Sequence, residues 1–391
     1  MRRIALMLAA MAGCSAMQPA MAAEDFTLPP YTAGYQPATV DERGLWMQAD
    51  EAERVIRDSP ARIRDGRLEE YLLAVLCREV GQDRCRGVRV YAMEIPQFNA
   101  SMMPNGAMQV QSGLLLRVRN EAELAAVLGH EFAHFELRHG LNGYKKMRGA
   151  TDMMAWLTVI GMASATNSGI ANFWLAGSIY RFDRAQETDA DILGLKYLAR
   201  SGYPAEAAAN IWQSLMAEAD ASAAGRNQKA RTKYSAGFFD THPASPQRAA
   251  YLSAEAAKLP PGGDARAQEF SEAMAPYLSR FLAAQVKLND FGGSEYILEN
   301  VASRAGWTGE LLFARGELYR ARANPRDLQL ASDYYRQARA AGYLAPELDR
   351  SLGLSLLRNG QTDEARAALA AYLSARPDAP DAKAINALLA N

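Results

Sequence analysis

NEAELAAVLGHEFAHFELRHG, residues 120–140, is the stretch whose reading decides the fold. Asn120 can cap a helix, Glu123 stands three residues on as in a capping box, and Gly140 supplies a stop. The spacing predicts a helix over Glu121 to Arg138. At 3.6 residues per turn, His130 and His134 fall one turn apart on one face, with Glu131 beside them. Ala126, Val127, Ala133 and Leu137 share that face, so it points into the protein. An unligated histidine pair is costly to charge or leave unpaired there, and two imidazoles so placed can grip one metal ion. His139, five residues beyond His134, points elsewhere on this reading and serves as a charge partner for the helix C-terminus.

A catalytic zinc site takes three protein ligands and keeps an open position, so another donor must come from elsewhere in the chain. The helix expected over Ala185 to Ala199 carries Glu187 and Asp191 one turn apart, with Ala190, Gly194, Leu195 and Leu198 on the same face. Two carboxylates on an otherwise apolar face require partners. Gly194 removes a side chain where another helix can approach, which suits Glu187 as third ligand and Asp191 as hydrogen-bond partner of a ligand imidazole. The competing reading is a solvated acidic helix face.

The rest of the chain bounds what this site belongs to. Its 391 residues are 49% apolar and 22% charged, which reads as globular and long enough for two domains. With 43 basic and 44 acidic side chains there is no general attraction to nucleic acid or an anionic membrane, so no nucleic-acid partner is expected. Residues 1–22 read as a signal peptide: Arg2-Arg3, an apolar run from Ile4 to Ala12, and Ala20-Met21-Ala22 before a cleavage point. Met11-Ala12-Gly13-Cys14 also resembles a lipobox with Cys14 as lipid acceptor. Both readings imply export to the periplasm, the second with an outer-membrane anchor. Cys77 and Cys85 are then the mature chain's cysteine pair, and in an oxidising compartment a disulfide is expected.

Residues 23–66 form an N-terminal segment, proline-bearing at first and helical from Asp41. A helix continues over Tyr71 to Val80. Val88 to Met93 alternates like a strand, and Asn99 to Leu116 reads as a hairpin turning at Pro104-Asn105-Gly106. Met153 to Tyr180 has no charged side chain, but Thr166-Asn167-Ser168-Gly169 splits it into pieces too short to span a bilayer, so a buried or interfacial helical hairpin is expected. Leu259-Pro260-Pro261-Gly262-Gly263 marks a boundary between a catalytic domain at 67–258 and a helical domain at 264–391. Within the latter, Gly316, Tyr319, Ala331, Tyr335 and Ala338 overlay Gly353, Leu356, Ala365, Leu369 and Tyr372, with an insertion around Asn324-Pro325-Arg326. The pattern resembles tetratricopeptide helix pairs, an ordinary helical bundle being the alternative.

H-E-F-A-H, then R-H-G, E-T-D-A-D and T-H-P-A-S-P-Q-R resemble, in that order, the gluzincin peptidase family of HtpX, the mitochondrial Oma-type proteases and the periplasmic BepA and LoiP. The segment N-A-S-M-M-P-N-G-A-M-Q-V-Q-S-G-L-L is similar to what the family places before its zinc helix. The match covers roughly residues 67–255. It implies a mainly α fold with a small β-sheet, a zincin-type domain followed by a tetratricopeptide-like one. It also implies one Zn2+ per chain on His130, His134 and Glu187, and Glu131 as general base. A substrate strand would pair beside the hairpin at Asn99, Ala100, Ser101 and Asn105. Ser101-Met102-Met103-Pro104-Asn105 is bulkier than the family's usual residues there, which bears on substrate preference and not on the metal.

His242 is placed by Pro243 and by Ser245-Pro246, which read as an N-cap and first helical residue, in a rigid turn before a helix. The resemblance suggests that it faces the site, where two roles compete. As imidazolium it would stabilise an oxyanion, and as neutral imidazole it would fill the metal's open position and hold the site latent. The implied function is a metalloendopeptidase acting on unfolded or misassembled envelope proteins, outer-membrane proteins among them. The rival is a periplasmic chaperone or assembly factor that binds clients, or envelope assembly machinery, through the helical repeats.

Overall fold

The computed structural model describes residues 28, 36–149, 182–229, 242, 246–260 and 262–390. The signal segment with Cys14 and the uncharged stretch at 153–180 lie outside the described residues, as do Pro243 and Ser245. Helix α1 (Val40–Asp58) starts at Thr39, whose side chain accepts from Glu42 N while the Glu42 side chain caps in return. Helix α2 (Gly66–Val80) starts at Asp65 and ends at Gly81, whose φ of 98° turns the chain toward β1 (Arg89–Met93). Cys77 and Cys85 are joined across that turn by a disulfide, with Cα atoms 5.2 Å apart.

Strands β2 (Ala100–Met102) and β3 (Ala107–Gln111) form the expected hairpin, paired antiparallel from Ala100↔Val110 to Met102↔Met108. β1 runs parallel to β3, so the sheet order is β1-β3-β2 and β2 lies at an edge. The hairpin is shorter than the sequence suggested. After the last rung, Gln111 N to Asn99 O at 3.1 Å, Ser112 Oγ and Gly113 N both donate to Ile95 O at 2.9 Å. Those bonds start the short helix α3 (Ser112–Arg117). Leu114, Leu115 and Leu116 are all buried, which a strand with one solvated face cannot achieve for three successive residues.

Helix α4 (Glu121–Glu136) carries the histidines. Asn120 Oδ1 accepts from Glu123 N at 2.9 Å, but the Glu123 carboxylate reaches Arg119 N instead of closing the box on Asn120. The helix ends earlier than expected. Arg138, with φ of 57°, makes the left-handed turn, and Gly140 lies inside the next helix, α5 (His139–Gly149). Every residue of α4 from Glu121 to His134 is buried. The helix is therefore central, enclosed by α2, β2, α6 (Arg184–Ser201) and α7 (Ala207–Gly225). α6 crosses closely: a Cβ on Gly194 would sit in van der Waals contact, 3.5 Å from His130 N. Helix α8 (Pro246–Ala256) packs on α7, with Pro246 as its first residue.

A turn after Ala256 and irregular backbone at 262–266 separate α8 from the later helices, but the core does not stop there. Leu252 and Ala256 share one apolar cluster with Phe270, Met274, Tyr277, Phe281, Ile297 and Leu311. Those residues come from α9 (Ala267–Met274), a following 3-10 turn, α10 (Leu278–Val286), α11 (Phe291–Ala305) and α12 (Gly309–Arg322). A second cluster begins at Leu312 and runs through α13 (Asp327–Ala340), α14 (Pro346–Arg358) and α15 (Thr362–Ala375), with α16 (Ala382–Ala390) closing the chain. The overlaid positions pack alike in the two helix pairs. A Cβ on Gly316 would lie 2.5 Å from the Tyr335 ring, and one on Gly353 2.6 Å from Leu369. In both pairs a glycine on the first helix receives the large side chain of the second. The longer first connection contains Ala323 and Arg326, both left-handed, around Asn324-Pro325. Among the described residues, no helix is long and apolar enough to cross a membrane.

Candidate metal centre

Four buried side chains from three parts of the chain converge beside α4. His130 and His134 project from α4, Glu187 comes from the first turn of α6, and His242 precedes α8. His130 Nε2 lies 3.1 Å from His134 Nε2 and 3.2 Å from His242 Nδ1. Glu187 Oε1 is 3.0 Å from His242 Nδ1 and 3.4 Å from His134 Nε2, and Oε2 is 3.6 Å from His130 Nε2. Ligands at zinc distances of about 2.0–2.1 Å in a tetrahedron lie about 3.3 Å apart along each edge. The observed separations fall around that edge, so the three imidazoles and one carboxylate fit one metal ion.

Glu131 stands at the rim of this group, buried, with Oε1 3.4 Å from His242 Nε2 and without a hydrogen-bond partner for that oxygen among the described residues. Burial raises its carboxyl pKa, only partly offset by the neighbouring imidazoles. Glu187 is likewise opposed by burial, yet His242, His134 and Arg248 hold it well below its ordinary value. Burial pushes His134 well below the usual imidazole range, which keeps a neutral lone pair available. Burial also acts to lower His242, but the charges of Glu131 and Glu187 carry it above its ordinary value.

Asp191 sits one turn below Glu187 with Oδ1 3.1 Å from His130 Nδ1. Sequence reasoning did not single out the cation that balances these acids. Arg248, in the first turn of α8, places Nη1 2.6 Å from Glu187 Oε2 and Nη2 2.7 Å from Asp191 Oδ1. Its guanidinium lies 4.0 Å over the Trp212 ring of α7. Charge counting offered a signal: Glu131, Glu187 and Asp191 are all buried and carry three negative charges when ionised, one more than a single dication beside neutral imidazoles supplies.

His139 is a correction. It is not directed away from the cluster but is buried, with Nδ1 2.8 Å from His134 Nδ1. The left-handed turn at Arg138 folds α5 back and returns this ring to α4, which a continuous helix would not do. Phe182 stacks on His134 at 3.8 Å between ring centroids.

Of the residues expected to touch substrate, Asn99, Ala100 and Ser101 lie at or beside edge strand β2, which packs against α4. Asn105 is elsewhere. Its Nδ2 is 2.8 Å from both Asp50 Oδ1 and Glu53 Oε2 on α1, and its Oδ1 accepts from Ala107 N at 3.2 Å, so its side chain is engaged in the hairpin turn. An apolar cavity adjoins His130 on the Asp191 side, lined by Val127, Leu195, Ile211, Trp212 and Leu252.

Comparison with known proteins agrees with this geometry. The mitochondrial metalloendopeptidase OMA1 of Schizosaccharomyces pombe is 30% identical over 161 residues, 41% of this chain and 44% of that protein. The putative beta-barrel assembly-enhancing protease of Vibrio cholerae is 28% identical over 190 residues, 46% of this chain and 39% of the relative. The metalloprotease YcaL of Escherichia coli is 30% identical over 159 residues, 39% of this chain and 56% of YcaL. The chain thus spans about half the length of these curated relatives or less. Residues 62–256, which hold the sheet, the histidine helix, Glu187, His242 and Arg248, match the peptidase family M48 model, and through this domain the chain belongs to that family.

Proposed function

We propose that the chain is a zinc metalloendopeptidase of the bacterial cell envelope, with His130, His134 and Glu187 holding the metal and Glu131 acting as general base. The observation that carries this reading is the buried donor group at tetrahedral spacing with the Glu131 carboxylate beside it. A zinc ion held there supplies Lewis-acid polarisation of a scissile carbonyl and acidifies a water molecule. Glu131 takes the proton of that water, which its raised pKa suits, and passes it to the leaving amine. The Asp191 carboxylate stands 3.1 Å from His130 Nδ1, a position that favours a proton on Nδ1 and leaves Nε2 for the metal, while Arg248 holds both acids in place. An extended peptide pairs with edge strand β2 at Asn99, Ala100 and Ser101, through main-chain bonds indifferent to side-chain identity.

The substrate class we propose is unfolded or misassembled envelope polypeptide, outer-membrane proteins included. The name of the Vibrio relative, the export signal read in residues 1–22 and the Cys77–Cys85 disulfide support this compartment. The chain is periplasmic on this reading, held at the outer membrane if Cys14 carries lipid. The helix pairs α12/α13 and α14/α15 form a tetratricopeptide-like region for clients or assembly machinery, supported by their matched glycine packing.

One observation favours a second, latent reading in which client binding dominates. His242 Nδ1 occupies a fourth corner of the donor group, the corner a working site leaves open. The test of the main reading is Glu131→Gln in the purified mature chain. It keeps about one zinc per chain yet loses cleavage of an unfolded protein substrate. Retained cleavage overturns the assignment of the base.

A further inference from the structure

A metal-ligating imidazole is held by a hydrogen bond from its other ring nitrogen, and that bond decides which nitrogen has a lone pair for the metal. For His130 the group facing Nδ1 is the Asp191 carboxylate, whose Oδ1 lies 3.1 Å away. Among the described residues, His134 meets no carboxylate on that side. Its Nδ1 faces Nδ1 of His139 at 2.8 Å, while its Nε2 points into the donor group.

Two imidazole nitrogens at that distance share a single proton, so one donates and the other accepts. For His134 Nε2 to give its lone pair to a metal, His134 Nδ1 must carry the proton. The acceptor is then the bare Nδ1 of His139, which keeps its own proton on Nε2. The ring planes cross at 69°, an edge-on arrangement suited to a directional bond and not to stacking.

We infer that His139 is a positioning residue of the metal centre: its Nδ1 accepts from His134 Nδ1 and thereby selects the tautomer that presents His134 Nε2 to the metal. This rests on the metal-holding role proposed above for His134.

The surroundings fit the assignment. The left-handed Arg138 and the restart of helix at His139 put the ring back against α4, where it is 5% exposed. Gln186, next to Glu187, brings its Nε2 to 3.5 Å from His139 O and so links the turn to α6. Phe182 stacks on one face of the His134 ring and so hinders rotation about χ2. The bond to His139 resists that rotation.

The test separates an acceptor from a mere space-filler. In His139→Asn, Oδ1 stands where Nδ1 stood, two bonds from Cβ, and can accept the same proton. His139→Leu fills comparable volume with no acceptor. Zinc affinity of the mature full-length chain is measured by chelator competition, and thermal unfolding of the zinc-free proteins reports folding separately. The Leu variant is expected to bind zinc about 10–100-fold more weakly, with the Asn variant within about threefold of wild type. Wild-type affinity in the Leu variant, or an equal loss in the Asn variant, overturns the inference.

If the Leu variant fails to fold, 15N-histidine NMR of the zinc-loaded wild type decides. A protonated His134 Nδ1 coupled across the hydrogen bond to His139 Nδ1 is expected, and an unprotonated His134 Nδ1 refutes the role. Absence of zinc binding by the wild type overturns the metal-centre reading itself. Intact wild-type binding with an unaffected Leu variant overturns the positioning role alone.

Discussion

Arg248 meets Asp191 fork to fork, with Nε 2.7 Å from Oδ2 and Nη2 2.7 Å from Oδ1. The same guanidinium reaches Glu187 Oε2 through Nη1, so one cation holds two buried acids on successive turns of α6. Burial lowers the pKa of this group, but Asp191 and Glu187 outweigh it and keep the guanidinium charged. α8 is thereby tied to α6 by electrostatics at the point where His242 enters.

Replacing Arg248 leaves two buried carboxylates without their cation. Arg248→Ala is expected to destabilise the zinc-free protein by about 3–5 kcal/mol, as found for broken buried ion pairs. Denaturant unfolding measures this, and a cycle with Asp191→Asn should recover part of the loss because one uncompensated charge is gone. A near-zero cost would mean that water reaches the acids and that the pair is not closed off as described.

Glu187 and Asp191 should separate by metal content. Glu187→Ala removes a donor and is expected to leave purified protein with far less than one zinc per chain. Asp191→Ala removes no metal donor but takes away the carboxylate facing His130 Nδ1 and the fork partner of Arg248, and should weaken zinc binding about 10–100-fold while still allowing loading at high zinc. Zinc retained at wild-type level in Glu187→Ala would show that the remaining imidazoles suffice, with Glu187 no ligand.

The elements legible in the sequence were those with a local cause. The H-E-x-x-H helix announces itself by spacing and by Asn120, and the hairpin by Pro104-Asn105-Gly106, because both depend on neighbours a few residues away. Convergence of His130, His134, Glu187 and His242 was reached by adding family resemblance to spacing, since it spans 112 residues between His130 and His242. What escaped was set by tertiary contact. The helix stop moved to Arg138 because α5 packs back on the site, a placement that Gly140, six residues beyond His134, does not encode. Leu114 to Leu116 form a helix and not a strand because they are enclosed on every side. Asn105 has the composition of a substrate contact, but α1 supplies Asp50 and Glu53 to satisfy it.

The disulfide gives a prediction independent of the metal. Cys77–Cys85 closes a loop of eight-residue separation between the end of α2 and the start of β1, and α2 packs on α4. On the loop-entropy estimate it contributes about 2–3 kcal/mol. Cys77→Ser with Cys85→Ser should lower stability by that order while leaving zinc stoichiometry at one. Mass analysis of non-reduced exported protein should find the two cysteines linked, and two alkylatable thiols would count against the oxidising compartment.

His242 is where function and regulation meet. Its Nδ1 lies 3.2 Å from His130 Nε2 and 3.0 Å from Glu187 Oε1, separations that suit a fourth donor. Its Nε2 faces Glu131 at 3.4 Å, so the same ring also stands against the general base. A peptide carbonyl and a water cannot both reach the centre while the imidazole remains there. On the latent reading proposed above, activity belongs to the fraction of molecules in which His242 has withdrawn, and turnover scales with that fraction. His242→Ala should therefore raise proteolysis of a poor substrate by a factor approaching the inverse of the open fraction, with zinc retained on His130, His134 and Glu187. The opposing expectation is that withdrawn His242 turns to the tetrahedral intermediate as an imidazolium. In that case the same substitution would bind zinc normally and lower turnover about 10²-fold, the scale of removing one oxyanion donor. Measuring kcat on a good and a poor unfolded substrate, with zinc content determined on the same preparations, distinguishes the two. A rise confined to the poor substrate supports latency, a fall on both refutes it in favour of catalysis, and unchanged rates on both would leave His242 without a role in either.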